Sequence, residues 1–166
     1  GFGSLAGIGT VIEIHLDHTQ LTDNGLACVA TAPWLNYLDI GQTAVTDQGI
    51  ATLANCKSLR TLVAYRTQVT GAGFQNFKAP LNTLHLADTP LSADGWSNIG
   101  GISTLSTLSL DGVLCDRSDV DIVAQLTRLT SLTSLELDQL TYAQYQKLPR
   151  SLSGLIDSPT PPIPSP

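Results

Sequence analysis

Residues 35–58 read LNYLDIGQTAVTDQGIATLANCKS, and the apolar period changes halfway along them. Leu38 and Ile40 alternate with outward-facing positions, the mark of a short strand, whereas Ile50, Leu53 and Cys56 recur every third residue, the mark of a helical or 3₁₀ segment. One such unit leaves an apolar edge uncovered, and a second copy stacked beside it closes that edge. The copies are present. From Leu59 the chain reads LRTLVAYRTQVTGAGFQNFKAP, from Leu81 LNTLHLADTPLSADGWSNIGGIST, and upstream from Val11 VIEIHLDHTQLTDNGLACVATAPW.

Aligned this way, an apolar column L-x-x-L-x-L is filled by Val11/Ile14/Leu16, Leu35/Leu38/Ile40, Leu59/Leu62/Ala64, Leu81/Leu84/Leu86, Leu105/Leu108/Leu110 and Leu132/Leu135/Leu137. Successive units are spaced by 24, 24, 22, 24 and 27 residues. After the column, the first four units place Thr19, Thr43, Thr67 or Thr89, then Leu21, Val45, Val69 or Leu91, then a glycine at 25, 49, 73 or 95. A polar residue recurring inside an apolar column is costly unless its hydroxyl is paired, so the threonines are expected to form a buried or half-buried ladder bonded to backbone at the strand exits. Asp23 and Asp47 stand where helix N-caps are expected.

The pattern resembles the leucine-rich repeat family. The TDNGL and TDQGI turns are similar to its Cys-containing, ribonuclease-inhibitor-like branch and to the T-D-x-G-L repeats of many bacterial and protist proteins. The resemblance implies an α/β solenoid, a segment of a horseshoe, with a parallel sheet on its concave side and short helices on its convex side. It spans residues 1–157 as one domain: a partial first repeat at 1–10, six repeats from 11, and a degenerate last strand near 152–156. Residues 158–166 form a Pro-rich tail or linker. The third unit departs from the pattern by reading TGAG and being two residues short, the fifth by an insertion around Arg117–Asp121, and the sixth by lacking the Thr and Gly.

The opening run GFGSLAGIG looks like a phosphate-cradling loop until it is set under GIATLANCKSL. Phe2, Leu5, Ile8 and Val11 then fall on Ile50, Leu53, Cys56 and Leu59, so the run reads as the back half of a repeat. A dinucleotide loop needs a strand before it, and none precedes this one. At the other end, TYAQYQKLP predicts a short helix with Thr141 and Gln144 as a capping box.

With 166 residues and 42% hydrophobic content, the chain suits one domain with a continuous core. It contains no Met, so the expectation is a piece excised or processed from a longer parent. A net charge of -6, from 14 acidic and 8 basic residues, argues against nucleic acid and for a partner with a basic surface. No apolar run is long enough to cross a membrane, and no membrane partner is expected. Cys28, Cys56 and Cys115 are odd in number and lack CxxC spacing, which points to structural roles in a reducing, cytoplasmic or otherwise intracellular setting. Of the three, Cys28 is the one expected to be exposed.

Function is expected on the outward-facing strand positions. These carry Glu13, His15, Asp17, Tyr37, Asp39, Tyr65, His85, Asp111, Glu136 and Asp138, with Arg66 just after the third strand. His15 and Asp39 are expected to touch across neighbouring strands. The residues in hand satisfy no catalytic role set, and no cofactor is expected. Metal binding is not expected either, because His15 and His18 leave the first strand at different angles. Acids after the strands (Asp23, Asp47, Asp94) and bases before the next ones (Lys57, Lys78, Arg128) read as complements to helix dipoles. The family resemblance implies a protein-interaction module that is not an enzyme. Its alternatives are a scaffold segment of a larger assembly, and the substrate-receptor part of a ligase or effector whose catalytic portion lies elsewhere.

Overall fold

The computed structural model of the chain describes residues 10–113, 122–137 and 141–156. Six strands, β1 (Glu13–His15), β2 (Tyr37–Asp39), β3 (Thr61–Val63), β4 (Thr83–His85), β5 (Thr107–Ser109) and β6 (Ser134–Glu136), form one parallel sheet in sequential order. The register is the sequence alignment itself, since Ile14, Leu38, Leu62, Leu84, Leu108 and Leu135 lie directly side by side. Each strand is three residues long, too short to hold a sheet through its own hydrogen bonds. Cohesion comes from the column behind it: Leu35, Leu38, Ile40, Leu59, Leu62, Ala64, Leu81, Leu84 and Leu86 are fully buried.

Behind the sheet lie α1 (Asp23–Val29), α2 (Asp47–Thr52), a 3₁₀ turn (Ala72–Phe74), α3 (Ala93–Ile99) and α4 (Ile122–Leu126). The 3₁₀ turn occupies the unit that is two residues short, where too few residues remain to close an α-helical turn. Buried Phe74 and Trp96 stand on this shortened rung and the next, in the column that holds Leu26 and Ile50 earlier.

The threonine ladder forms as expected. Thr19, Thr43, Thr67 and Thr89 each donate through Oγ1 to the carbonyl three residues earlier, at 2.6, 2.7, 2.8 and 2.6 Å. Thr43, Thr67 and Thr89 are buried, and Thr19, on the first described rung, is exposed. The residue before each threonine (His18, Gln42, Arg66 and Asp88) sits at φ of 51–56°, in the left-handed region, and Gly112 follows suit at 66°. This tight left-handed step follows the first five strands, and on the first four it brings the threonine hydroxyl over the carbonyl. Thr43→Val is expected to lower the unfolding free energy by about 1–2 kcal/mol in urea titration; unchanged or raised stability would show that the bond contributes nothing.

Three expectations need correction. The N-caps are Thr22, Thr46 and Ser92 rather than Asp23 and Asp47, each of which begins its helix. The aspartates instead reach the next rung: Asp23 accepts the Thr46 N–H and hydroxyl, both at 2.8 Å, and Asp47 accepts the Thr70 N–H, the Thr70 hydroxyl and the Gly73 N–H. Charge-assisted bonds thus tie repeat to repeat. Lys57 and Lys78 likewise lie outside the last helical turns, and Arg128 bonds to the Ser97 carbonyl and to Gln125, so dipole complementation is not what places these bases. Finally, residues 150–156 form no strand. After α5 (Tyr142–Lys147), whose Thr141/Gln144 capping box has both arms in place, Pro149 starts a second short helix, α6 (Arg150–Ser153). Leu148 and Leu152 are buried there, at the end of the core. The opening run, Cys115, the insertion at 117–121, Asp138 and the Pro-rich tail lie outside the described residues.

Candidate functional site

Pleating sends the residues on either side of each buried leucine to the opposite, concave face. They form two rows across the sheet. One runs Glu13, Tyr37, Thr61, Thr83, Thr107, Ser134; the other runs His15, Asp39, Val63, His85, Ser109, Glu136. A third row follows at the strand exits, where Leu16 N–H donates to Asp39 O, Ile40 to Val63 and Ala64 to His85, so Asp17, Gly41, Tyr65, Ala87 and Asp111 continue the pattern. Glu13, His15, Arg66 and Glu136 are exposed, and Asp17, Tyr37, Asp39, Tyr65, His85 and Asp111 are half-buried. The expected residues therefore share one face, apart from Arg66, which stands on the turn after the third strand, and Asp138, which is outside the described residues.

The face is densest over the first three strands. His15 and Tyr37 rings lie 4.9 Å apart, centroid to centroid. Tyr65 leans back over the second rung, where a Cβ at position 41 would run into its ring, so Gly41 provides the seat. Its hydroxyl then reaches Nε2 of His18, two rungs away, at 3.3 Å. Tyr65 is thereby held in one orientation before any partner arrives. Sequence reading marks Tyr65 as outward-facing but does not foresee this seat, and the only signal for it is the bare glycine at 41.

Negative charge gathers in the same place. Asp39 faces His15 across the strand pair, as expected, and accepts the Gly41 N–H at 2.9 Å. One donor atom each from His15, Asp17 and Asp39 lies within 4.8 Å of the other two. His18 stands apart on its left-handed step, in line with the different angle expected of it, while Asp39 lies beside His15 and Asp17. Partial burial and the charges of Asp39, Asp17 and Glu13 hold the Tyr37 phenol above its usual range, so it remains a hydrogen-bond donor. Arg66 is bound to Asp88 at 2.9 Å, an exposed pair of little energetic weight that nonetheless turns the guanidinium toward the exit edge.

The described cysteines are free thiols. Cys56 is buried in the core, which pushes its thiol above the usual range and away from nucleophilic reactivity. Cys28 is half-buried on α1. No helix among the described residues is long and apolar enough to cross a membrane.

No family model matches the chain, and no curated protein matches it. Among solved structures it is similar to the crystal structure of an internalin (InlF) from Listeria monocytogenes, with a TM-score of 0.65 and 22% identity over 82% of this chain. The match covers 37% of the internalin, so this chain spans well under half of that protein's length. The likeness is one of fold. Together with the six-stranded parallel sheet and the column of buried leucines, it places the chain among leucine-rich-repeat solenoids by architecture.

Proposed function

We propose that the chain is a protein-binding module that engages a partner with a basic surface through its acidic, Tyr- and His-bearing concave face. The observation carrying this reading is the preformed patch on β1–β3, where Tyr37 and Tyr65 stand among Glu13, Asp17 and Asp39. Tyrosine offers a large rigid contact with a polar tip, and Tyr65 loses little freedom on binding because Gly41 and His18 already hold it. His85, Asp111 and Glu136 extend the face toward the later repeats, and Arg66 stands at the exit edge of the third; Asp138 is proposed as part of the same set from its place in the sequence alone. The role is binding rather than catalysis, since an open sheet face gives a carboxylate no enclosed setting in which to shift its protonation. The free thiols support an intracellular setting, and the TDNGL and TDQGI turns support the Cys-containing branch or its bacterial and protist analogues.

With a recovered partner, Tyr65→Ala should weaken affinity by about 1–2 kcal/mol at any ionic strength. Asp39→Lys should mainly slow association, most at low salt, because exposed charges act through long-range attraction. Both variants should keep the wild-type circular dichroism. A Tyr37/Asp39/Tyr65 triple alanine variant that still bound, while changes at Gln75 or Arg128 abolished binding, would move the interface to the helical side.

One observation favours the scaffold alternative. Ile12 and Trp34 are 55% and 59% exposed on the edge where the first strands begin. Two large apolar side chains left in solvent fit an edge that abuts another part of an assembly. Binding lost in Trp34→Ser but retained in the triple variant would select that reading.

A further inference from the structure

On the concave face the backbone converges three side chains of metal-ligating types, His15, Asp17 and Asp39. His15 and Asp39 are paired across β1 and β2, and Asp17 follows His15 by two residues on the same face. The Leu16 N–H bond to the Asp39 carbonyl, at 2.8 Å, carries the register past the end of β1 and so sets the position of Asp17. We propose that His15, Asp17 and Asp39 form a binding site for a divalent transition-metal ion of the zinc class.

The donor atoms already lie within 4.8 Å of one another. Ligands around one zinc ion at roughly 2.0–2.2 Å stand about 3–3.5 Å apart, so closure asks for about an ångström of rotamer adjustment, which an open face permits. The Gly41 N–H holds one oxygen of Asp39 and orients the carboxylate, as the hydrogen-bond partners of metal ligands commonly do. Among the described residues, no Lys or Arg forms an ion pair with Asp17 or Asp39, and the contact of Asp17 with His18 is long, at 3.7 Å. Among the described residues the two carboxylates thus lack a competing Lys or Arg.

An imidazole in the set selects the ion. Calcium and magnesium prefer all-oxygen shells, whereas one nitrogen with two carboxylate oxygens suits zinc, cobalt or nickel. Three protein ligands leave a coordination position open to water. The inference concerns the free chain and does not rest on protein binding.

The test is calorimetric titration of zinc into the tag-free, metal-stripped chain. Saturable binding at one ion per chain is expected, undisturbed by excess calcium or magnesium. Residues that only orient a metal ligand are worth about 10–100-fold in affinity, so His15→Ala and Asp39→Asn should each weaken binding at least about tenfold. His85→Ala, on the same row two strands further along, should change nothing. Cobalt added to the wild-type chain should give paramagnetic NMR shifts centred on β1 and β2, a readout that needs no variant. The site is overturned if folded wild-type chain shows no saturable binding, if calcium or magnesium competes equally, if both ligand variants bind as wild type does, or if the cobalt shifts centre elsewhere.

Discussion

Trp96→Ala is expected to lower the unfolding free energy by about 3–5 kcal/mol, the range for deleting a fully buried aromatic side chain. Trp96 is 2% exposed and ranks among the largest side chains of the core, next to the rung whose helix is cut to a single 3₁₀ turn. Its loss leaves a cavity bounded by short elements on both sides, and repeats that depend on their neighbours transmit the damage along the stack. Trp96→Phe should cost much less. The indole N–H finds no hydrogen-bond partner among the described residues, so removing it forfeits area but no bond. Equilibrium urea denaturation of the two variants checks both values, and a loss for Trp96→Phe as large as that for Trp96→Ala would reveal a polar role for the indole.

The second large effect is at Gly95, where alanine should cost about 3 kcal/mol, the upper end for overpacking. A Cβ there runs into the carbonyl oxygen of Thr70 and comes within 3.0 Å of the Gly71 Cα, and backbone on both sides cannot swing aside. Gly71 itself adopts φ of 90°, so the approach of α3 to the preceding rung relies on two glycines in contact. Gly25→Ala is the control. Its new methyl meets only the Cδ1 of Leu21, a flexible side-chain end, at 2.8 Å, and alanine gains up to about 1 kcal/mol of helix propensity over glycine. That variant should be close to neutral by the same titration.

These positions show how much the sequence reveals. The apolar columns predict the sheet order and register residue by residue, because each leucine must meet its counterpart for the edge of its unit to be covered. The threonines are legible because an unpaired hydroxyl in that column is too costly to recur. The left-handed step at His18, Gln42, Arg66 and Asp88 is not legible, since four different non-glycine residues occupy it and only Gly112 advertises the conformation. The aspartates mislead for a related reason: Thr-Asp offers two capping residues in succession, and only the stacked neighbour shows that the second reaches forward to Thr46 or Thr70. Which strand positions point outward is legible from the alternation of apolar and polar residues, as the register of the described strands shows. The seat of Tyr65 over Gly41 is not legible, because it depends on a side chain crossing from one rung to the next.

The binding reading rests most directly on which side of the solenoid a partner touches. A photo-crosslinking phenylalanine analogue placed singly at Tyr37, Tyr65, Gln75 and Arg128 puts that question to the folded chain in an extract of its source cells. Positions 37 and 65 should give the same covalent protein adduct, and positions 75 and 128 should give none. Adducts from 75 or 128 with none from 37 and 65 would contradict a concave binding face.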